Sequence, residues 1–154
     1  MNKPIVFFVS GDPKGQPRPR AFARRVGNKF VARVFDAGTA EGWKSRIAVA
    51  AKSLTPAQPY TDPVRVRLHF FFPRPKAHFR TGKNAHLMRD DAPSYHIAKP
   101  DCDNLAKAVL DAMTQLGGWW GDDQQVASLA VCKSYVSTIQ LHPGVNISVS
   151  QCNQ

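Results

Sequence analysis

The chain has 154 residues, of which 43% are hydrophobic and 21% charged; that is the composition of one globular domain with its own core, and it excludes wholesale disorder. No run of about 18 apolar residues occurs, so no membrane-spanning helix is expected. Lys and Arg number 21 against 11 Asp and Glu, a formal net charge of +10, which argues for a polyanionic partner, most commonly a phosphate backbone, and for salt-dependent binding.

The opening Met1-Asn2-Lys3-Pro4-Ile5 has neither the apolar stretch nor the small-residue cleavage site of a secretory signal, so a cytoplasmic protein is expected. Ile5 to Val9 is a β-branched and aromatic run and predicts a strand. Gly11 to Arg20 is broken by glycine and proline. Ala21 to Val26 and Lys29 to Phe35 flank Gly27-Asn28 as a hairpin. From Gly38 to Leu54, Trp43, Ile47, Ala50, Ala51 and Leu54 recur at helical spacing. Val64 to Phe72 alternates, placing Val64, Val66, Leu68 and Phe70 on one face of a half-buried strand.

Pro73 to Lys99 shows no sustained period and reads as an irregular basic insertion. Asn104 to Leu116 predicts a helix with Leu105, Ala108, Val109, Ala112, Met113 and Leu116 in one stripe, closed by Gly117-Gly118. Gln125 to Val136 and Val145 to Val149 predict two more strands. The order implies one α+β domain, with two main helices packed on a mixed sheet. Three cysteines, Cys102, Cys132 and Cys152, are an odd and widely spaced set. They fit a reducing compartment and match neither a disulfide framework nor zinc-ligand spacing.

Within this basic chain, Asp101 and Asp103 stand beside Pro100, and Asp122 and Asp123 come after Gly-Gly-Trp-Trp-Gly. Taken singly, each has an ordinary role: Asp103 as the N-cap of the helix, Asp101 as a loop charge, Asp122-Asp123 in a turn. Together they are candidates for a divalent-cation site, because clustered carboxylates repel one another until a cation intervenes. Magnesium takes oxygen ligands, and a bound ion activates water in phosphodiester cleavage. The two pairs flank a helix of about 13 residues, roughly 20 Å long. They meet only if the chain doubles back after Trp120 or if two subunits share a site. Lys107 lies one turn after Asp103, and pairs either with Asp103 or Asp111 or with a reacting phosphate.

The string Lys99-Pro100-Asp101-Cys102-Asp103-Asn104-Leu105-Ala106-Lys107, then Trp120-Gly121-Asp122-Asp123-Gln124-Gln125-Val126 and Lys133, resembles the RusA-type Holliday-junction resolvases, phage-associated endodeoxyribonucleases. The resemblance extends to Gly15–Arg20 and Phe72–Lys76. It implies a small homodimeric α/β protein, using Mg2+ (or Mn2+ in its place) to nick four-way DNA junctions in pairs during recombination and repair. It places the catalytic set on Asp101, Asp103, Asp123 and Lys107, with Asp122 as a neighbouring metal-ligand candidate. The long 73–99 segment departs from the family pattern and leaves other branched DNA open as substrate.

Candidate DNA contacts are Lys14, Arg18, Arg20 and Arg24 around the first hairpin, Arg74 and Lys76 in the insertion, and Lys99 and Lys133. Trp119 and Trp120 read as core or interface packing, with base stacking the lesser alternative. His86 and His96 read as structural or phosphate-facing. Two other functions compete: a non-catalytic DNA-binding protein, and a metal-dependent nuclease acting on other branched DNA or on RNA.

Overall fold

A computed structural model describes residues 3–17, 20–35 and 40–152, with residues 20–22 and 32–35 described by backbone alone. Strand β1 (Ile5–Ser10) buries Phe7 and Val9 and turns Val6 and Phe8 outward, as the pleat requires. Strands β2 (Arg20–Val26) and β3 (Lys29–Phe35) form the expected hairpin around Gly27-Asn28. They make a two-stranded sheet of their own, and every side chain from Ala23 to Val31 is exposed.

Helix α1 (Glu41–Lys52) buries Trp43, Lys44, Ile47 and Ala51. It is shorter than the predicted 38–54: residues 38 and 39 lie outside the described set, and Leu54 is past the helix end and exposed. Strand β4 (Val64–Phe72), helix α2 (Cys102–Leu116), strand β5 (Val126–Tyr135) and strand β6 (Gly144–Gln151) complete the order. The main sheet runs β1-β6-β4-β5, with β4 and β5 parallel and the other pairs antiparallel. It is therefore the mixed sheet expected, in a single α+β domain with two helices.

Register follows burial. Phe7 lies opposite Ile147, Ile147 opposite Leu68, and Leu68 opposite Val131. This inward row meets Trp43 and Ile47 of α1 and Leu105, Val109 and Met113 of α2 in one core cluster. A slip of one residue would turn the row to solvent, at about 1.5–3 kcal/mol per large side chain.

The 73–99 segment is irregular in period, as expected, but it is fastened to the sheet. Arg74 donates from Nε to the Val136 carbonyl at 2.8 Å and from Nη1 to the Pro93 carbonyl at 2.7 Å. Its guanidinium lies 5.4 Å from the centre of the Tyr135 ring. Single 3-10 turns at Lys76–His78 and Gly82–Asn84, and bridges Phe79–Met88 and Tyr95–Ser134, shape the rest. Its order is tertiary, which is why no periodicity announces it.

Candidate active site

Helix α2 begins at Cys102, two residues before the expected start at Asn104. Asp101, not Asp103, occupies the N-cap: its backbone is extended (φ −74, ψ 154) and its carbonyl accepts Leu105 N–H at 3.0 Å. Pro100 restricts itself and the residue before it but not those that follow, so the chain can enter the helix immediately after Asp101. Asp103 stands in the first turn, where unpaired N–H groups favour negative charge. Both carboxylates are on exposed residues.

A loop braces this turn. Gln16 N–H donates to the Asn104 carbonyl at 2.8 Å. A Cβ on Gly15 would lie 3.0 Å from Pro100 Cβ and 3.1 Å from Asn104 Cβ. Gly15 thus permits a close approach that a larger residue would push apart. The adjoining Lys14, which is exposed, is carried to the same end of α2.

The distant acidic pair arrives by chain reversal. Gly117 (φ +79) closes α2 by donating to the Met113 carbonyl at 3.1 Å, and Gly118 (φ +86) turns the chain. Trp119 and Trp120 then plunge into the core, at 0% and 3% exposure. Trp120 Nε1 donates to Thr114 Oγ1 at 2.8 Å, and Tyr60 N–H to the Trp119 carbonyl at 2.8 Å. Gln125 locks the next turn: its amide donates to the carbonyls of Tyr60 and Asp62 at 2.6 and 2.9 Å, and its Oε1 accepts Gly121 N–H. Nothing but its place in the Asp-Asp-x-Gln-Val string marks Gln125 in the sequence.

The outcome is that Asp123 Oδ2 lies 3.3 Å from Lys107 Nζ, within one chain. Asp122 Oδ1 caps this short turn by accepting Asp123 N–H at 2.7 Å. Lys107 also pairs with Asp111 at 2.8 Å, as helical spacing allows. The Asp111 hydrogen bond, helped by the charges of Asp111 and Asp123, pushes the Lys107 ammonium above its ordinary pKa against a smaller effect of burial. Asp123 therefore joins α2 beside Lys107, one turn from Asp103. Among the described residues, no three His, Cys, Asp or Glu side chains stand close enough together to hold a metal ion. The donors are nonetheless of the right kind for magnesium, whose protein ligands are commonly one or two carboxylates, with water and substrate phosphate filling the shell.

Of the basic candidates, Lys76, Lys99 and Arg24 are exposed. Arg18 lies outside the described residues, as does the side chain of Arg20. Arg74 and Lys133 direct donors inward: Lys133 Nζ reaches the carbonyls of Ala98 and Pro100 at 2.7 and 2.8 Å.

His96 is buried, stacked on Phe72 (centroids 3.9 Å apart, 14° between planes) and edge-on to Tyr135. Burial, then the charge of Lys133, pushes its imidazole below the ordinary pKa, against a backbone hydrogen bond that favours the charged form. The folded state therefore prefers neutral His96. Its contribution is complete above about pH 6.5 and is lost as pH falls through the depressed value. Burial likewise lowers His69. We expect the melting temperature to fall between about pH 7 and about pH 5, and His96→Phe to flatten part of that fall. Parallel thermal melts of the two proteins would show it, and identical pH profiles would refute it.

No helix among the described residues is long and apolar enough to cross a membrane. The family described as Endodeoxyribonuclease RusA matches residues 10–150. The Uncharacterized protein YqaN of Bacillus subtilis (strain 168) is 32% identical over 131 residues, spanning 85% of this chain and 87% of that protein. The match takes in the docked Gly15 loop, the acidic start of α2 and the Asp123 turn alike, and on that extent the chain belongs to the RusA endodeoxyribonuclease family.

Proposed function

We propose that this protein is a magnesium-dependent, structure-selective endodeoxyribonuclease that resolves four-way DNA junctions by paired nicking, working as a homodimer in cytoplasmic DNA recombination and repair. The observation that carries the reading is the 3.3 Å approach of Asp123 to Lys107, on a helix that also bears Asp101 and Asp103, in a chain of an endodeoxyribonuclease family.

One or two of Asp101, Asp103 and Asp123 would hold the ion, with Asp122 nearby and water and substrate phosphate completing its shell. When bound, the metal supplies an activated water and stabilises the leaving oxygen. Lys107, kept protonated by its two carboxylate partners, directs positive charge at the phosphate as negative charge builds on it. Lys14, Arg24, Lys76 and Lys99 contribute phosphate contacts that position the strand without reading its sequence. A C2 dimer presents two equivalent sites, matching the two symmetric cuts that a junction needs.

The deciding experiment compares cleavage of four-way junction, flap, duplex and RNA substrates with and without magnesium. Junction nicking confined to the magnesium arm is expected. Equal cleavage without metal, or none of any branched DNA, would overturn the proposal. Arg24 and Lys29 are both exposed on the hairpin. Replacing both by Ala is expected to weaken junction binding and flatten its dependence on log salt by about one unit for each phosphate no longer neutralised. An unchanged slope would remove the hairpin from the DNA surface.

A further inference from the structure

We infer that Lys133 is a positioning residue for the acidic turn and does not serve as a phosphate ligand. One residue of β5 engages three alternate positions of the segment that leads into α2. The Lys133 carbonyl accepts His96 N–H at 3.1 Å. Its Nζ donates to the Ala98 carbonyl at 2.7 Å and to the Pro100 carbonyl at 2.8 Å. Just before this, Tyr135 N–H donates to the Ser94 carbonyl at 2.9 Å, and Tyr95 bridges Ser134. Residues 94–96 are thus laid against the outer edge of β5, and the ammonium extends the attachment to 98 and 100 where backbone pairing ends.

The consequence falls on Asp101. The peptide plane before it is held through Pro100 O by Lys133 Nζ, and the plane after it through Asp101 O by Leu105 N–H. With both planes fixed, the direction of the Asp101 Cα–Cβ bond is set, and only side-chain rotation remains. Bonds from an ammonium to a carbonyl are charge-assisted and short. Two of the three ammonium hydrogens are engaged in this way, which leaves at most the third for a phosphate and fixes the ammonium against the 98–100 backbone. The neighbouring His96 ring packs against Phe72 of β4 and Tyr135 of β5 and so ties the same segment to the sheet.

This inference rests on the proposed role of Asp101 as a metal ligand, and the test separates the two. Mn2+ alone is titrated calorimetrically into the wild type, Lys133→Met and Lys133→Gln, with thermal melts alongside. Junction affinity is measured against salt in the absence of divalent metal. We expect Mn2+ affinity to fall about 10- to 100-fold in Lys133→Met, the range for loss of a group that orients a metal ligand, with Lys133→Gln intermediate and the salt slope unchanged. A salt slope reduced by about one unit, or wild-type Mn2+ affinity in a folded variant, would overturn it. If neither variant folds, the ammonium signal of Lys133 in the wild type decides by NMR: it should keep its position when junction DNA is added, and a shift matching that of exposed, DNA-contacting lysines would refute the inference. Failure of the wild type to bind Mn2+ at all would strike the metal-dependent reading itself, whereas undiminished binding in the variants would strike the role of Lys133 alone.

Discussion

Asp103→Asn is expected to lower magnesium-dependent nicking of a synthetic four-way junction by about 10³-fold or more, while leaving junction affinity within a few-fold. The substitution keeps the side chain's volume and removes its charge. It also sits in the first turn of α2 on an exposed residue, where solvent screens a carboxylate's interactions to about 1 kcal/mol or less. The favourable effect of a carboxylate near the helix N-terminus is worth only about 0.3–1 kcal/mol. Several kcal/mol of transition-state stabilisation depend on the ion that the carboxylate would hold. The disparity between those magnitudes makes the experiment clean: rate collapses, while the melting temperature and DNA binding barely move. Single-turnover nicking and a gel-shift assay on the same protein measure both. Nicking at the wild-type rate would exclude Asp103 as a metal ligand.

The largest loss of stability is expected from Trp119→Ala, at about 3–5 kcal/mol, by the usual cost of emptying a large aromatic site. Trp119 is fully buried, with its ring 5.8 Å from that of Phe7. Its indole Nε1 has no hydrogen-bond partner among the described residues. The loss is therefore one of packing. For a domain of this size the melting temperature should fall by roughly 10 °C or more, and a drop of only a degree or two would contradict the assignment. The position also matters beyond stability, because Trp119 anchors the reversal that returns Asp123 to Lys107. The variant is expected to lose nicking at temperatures where it is still folded, and Trp119→Phe should keep a larger share of both properties.

Most elements are legible because their signal is local. The alternation in Val64–Phe72 reports a strand with one buried face, and the Leu105–Leu116 stripe reports a helix, since each pattern repeats with the period of its own backbone. Gly27-Asn28 and Gly117-Gly118 mark turns for equally local reasons. Periodicity misplaces the start of α2 because the apolar stripe begins only at Leu105, whereas the helix starts directly after release by Pro100. The 73–99 segment carries no pattern because Arg74, Tyr95 and His96 hold it through bonds to β4 and β5 and the residues after them, not to sequence neighbours.

The amino-acid order alone determined the main strands and helices to within a few residues at their ends, the polyanion-seeking charge and the identity of the four aspartates and Lys107. Whether the second acidic pair returns to the helix that carries the first was undetermined, since α2 is roughly 22 Å long and separates the two pairs in sequence. Only the tertiary structure decided it: burial of Trp119 and Trp120 and the locking of Gln125 onto Tyr60 and Asp62 fold the chain back along α2. That return depends on bonds between residues about 65 positions apart, and no local period in a sequence can encode a distance of that kind.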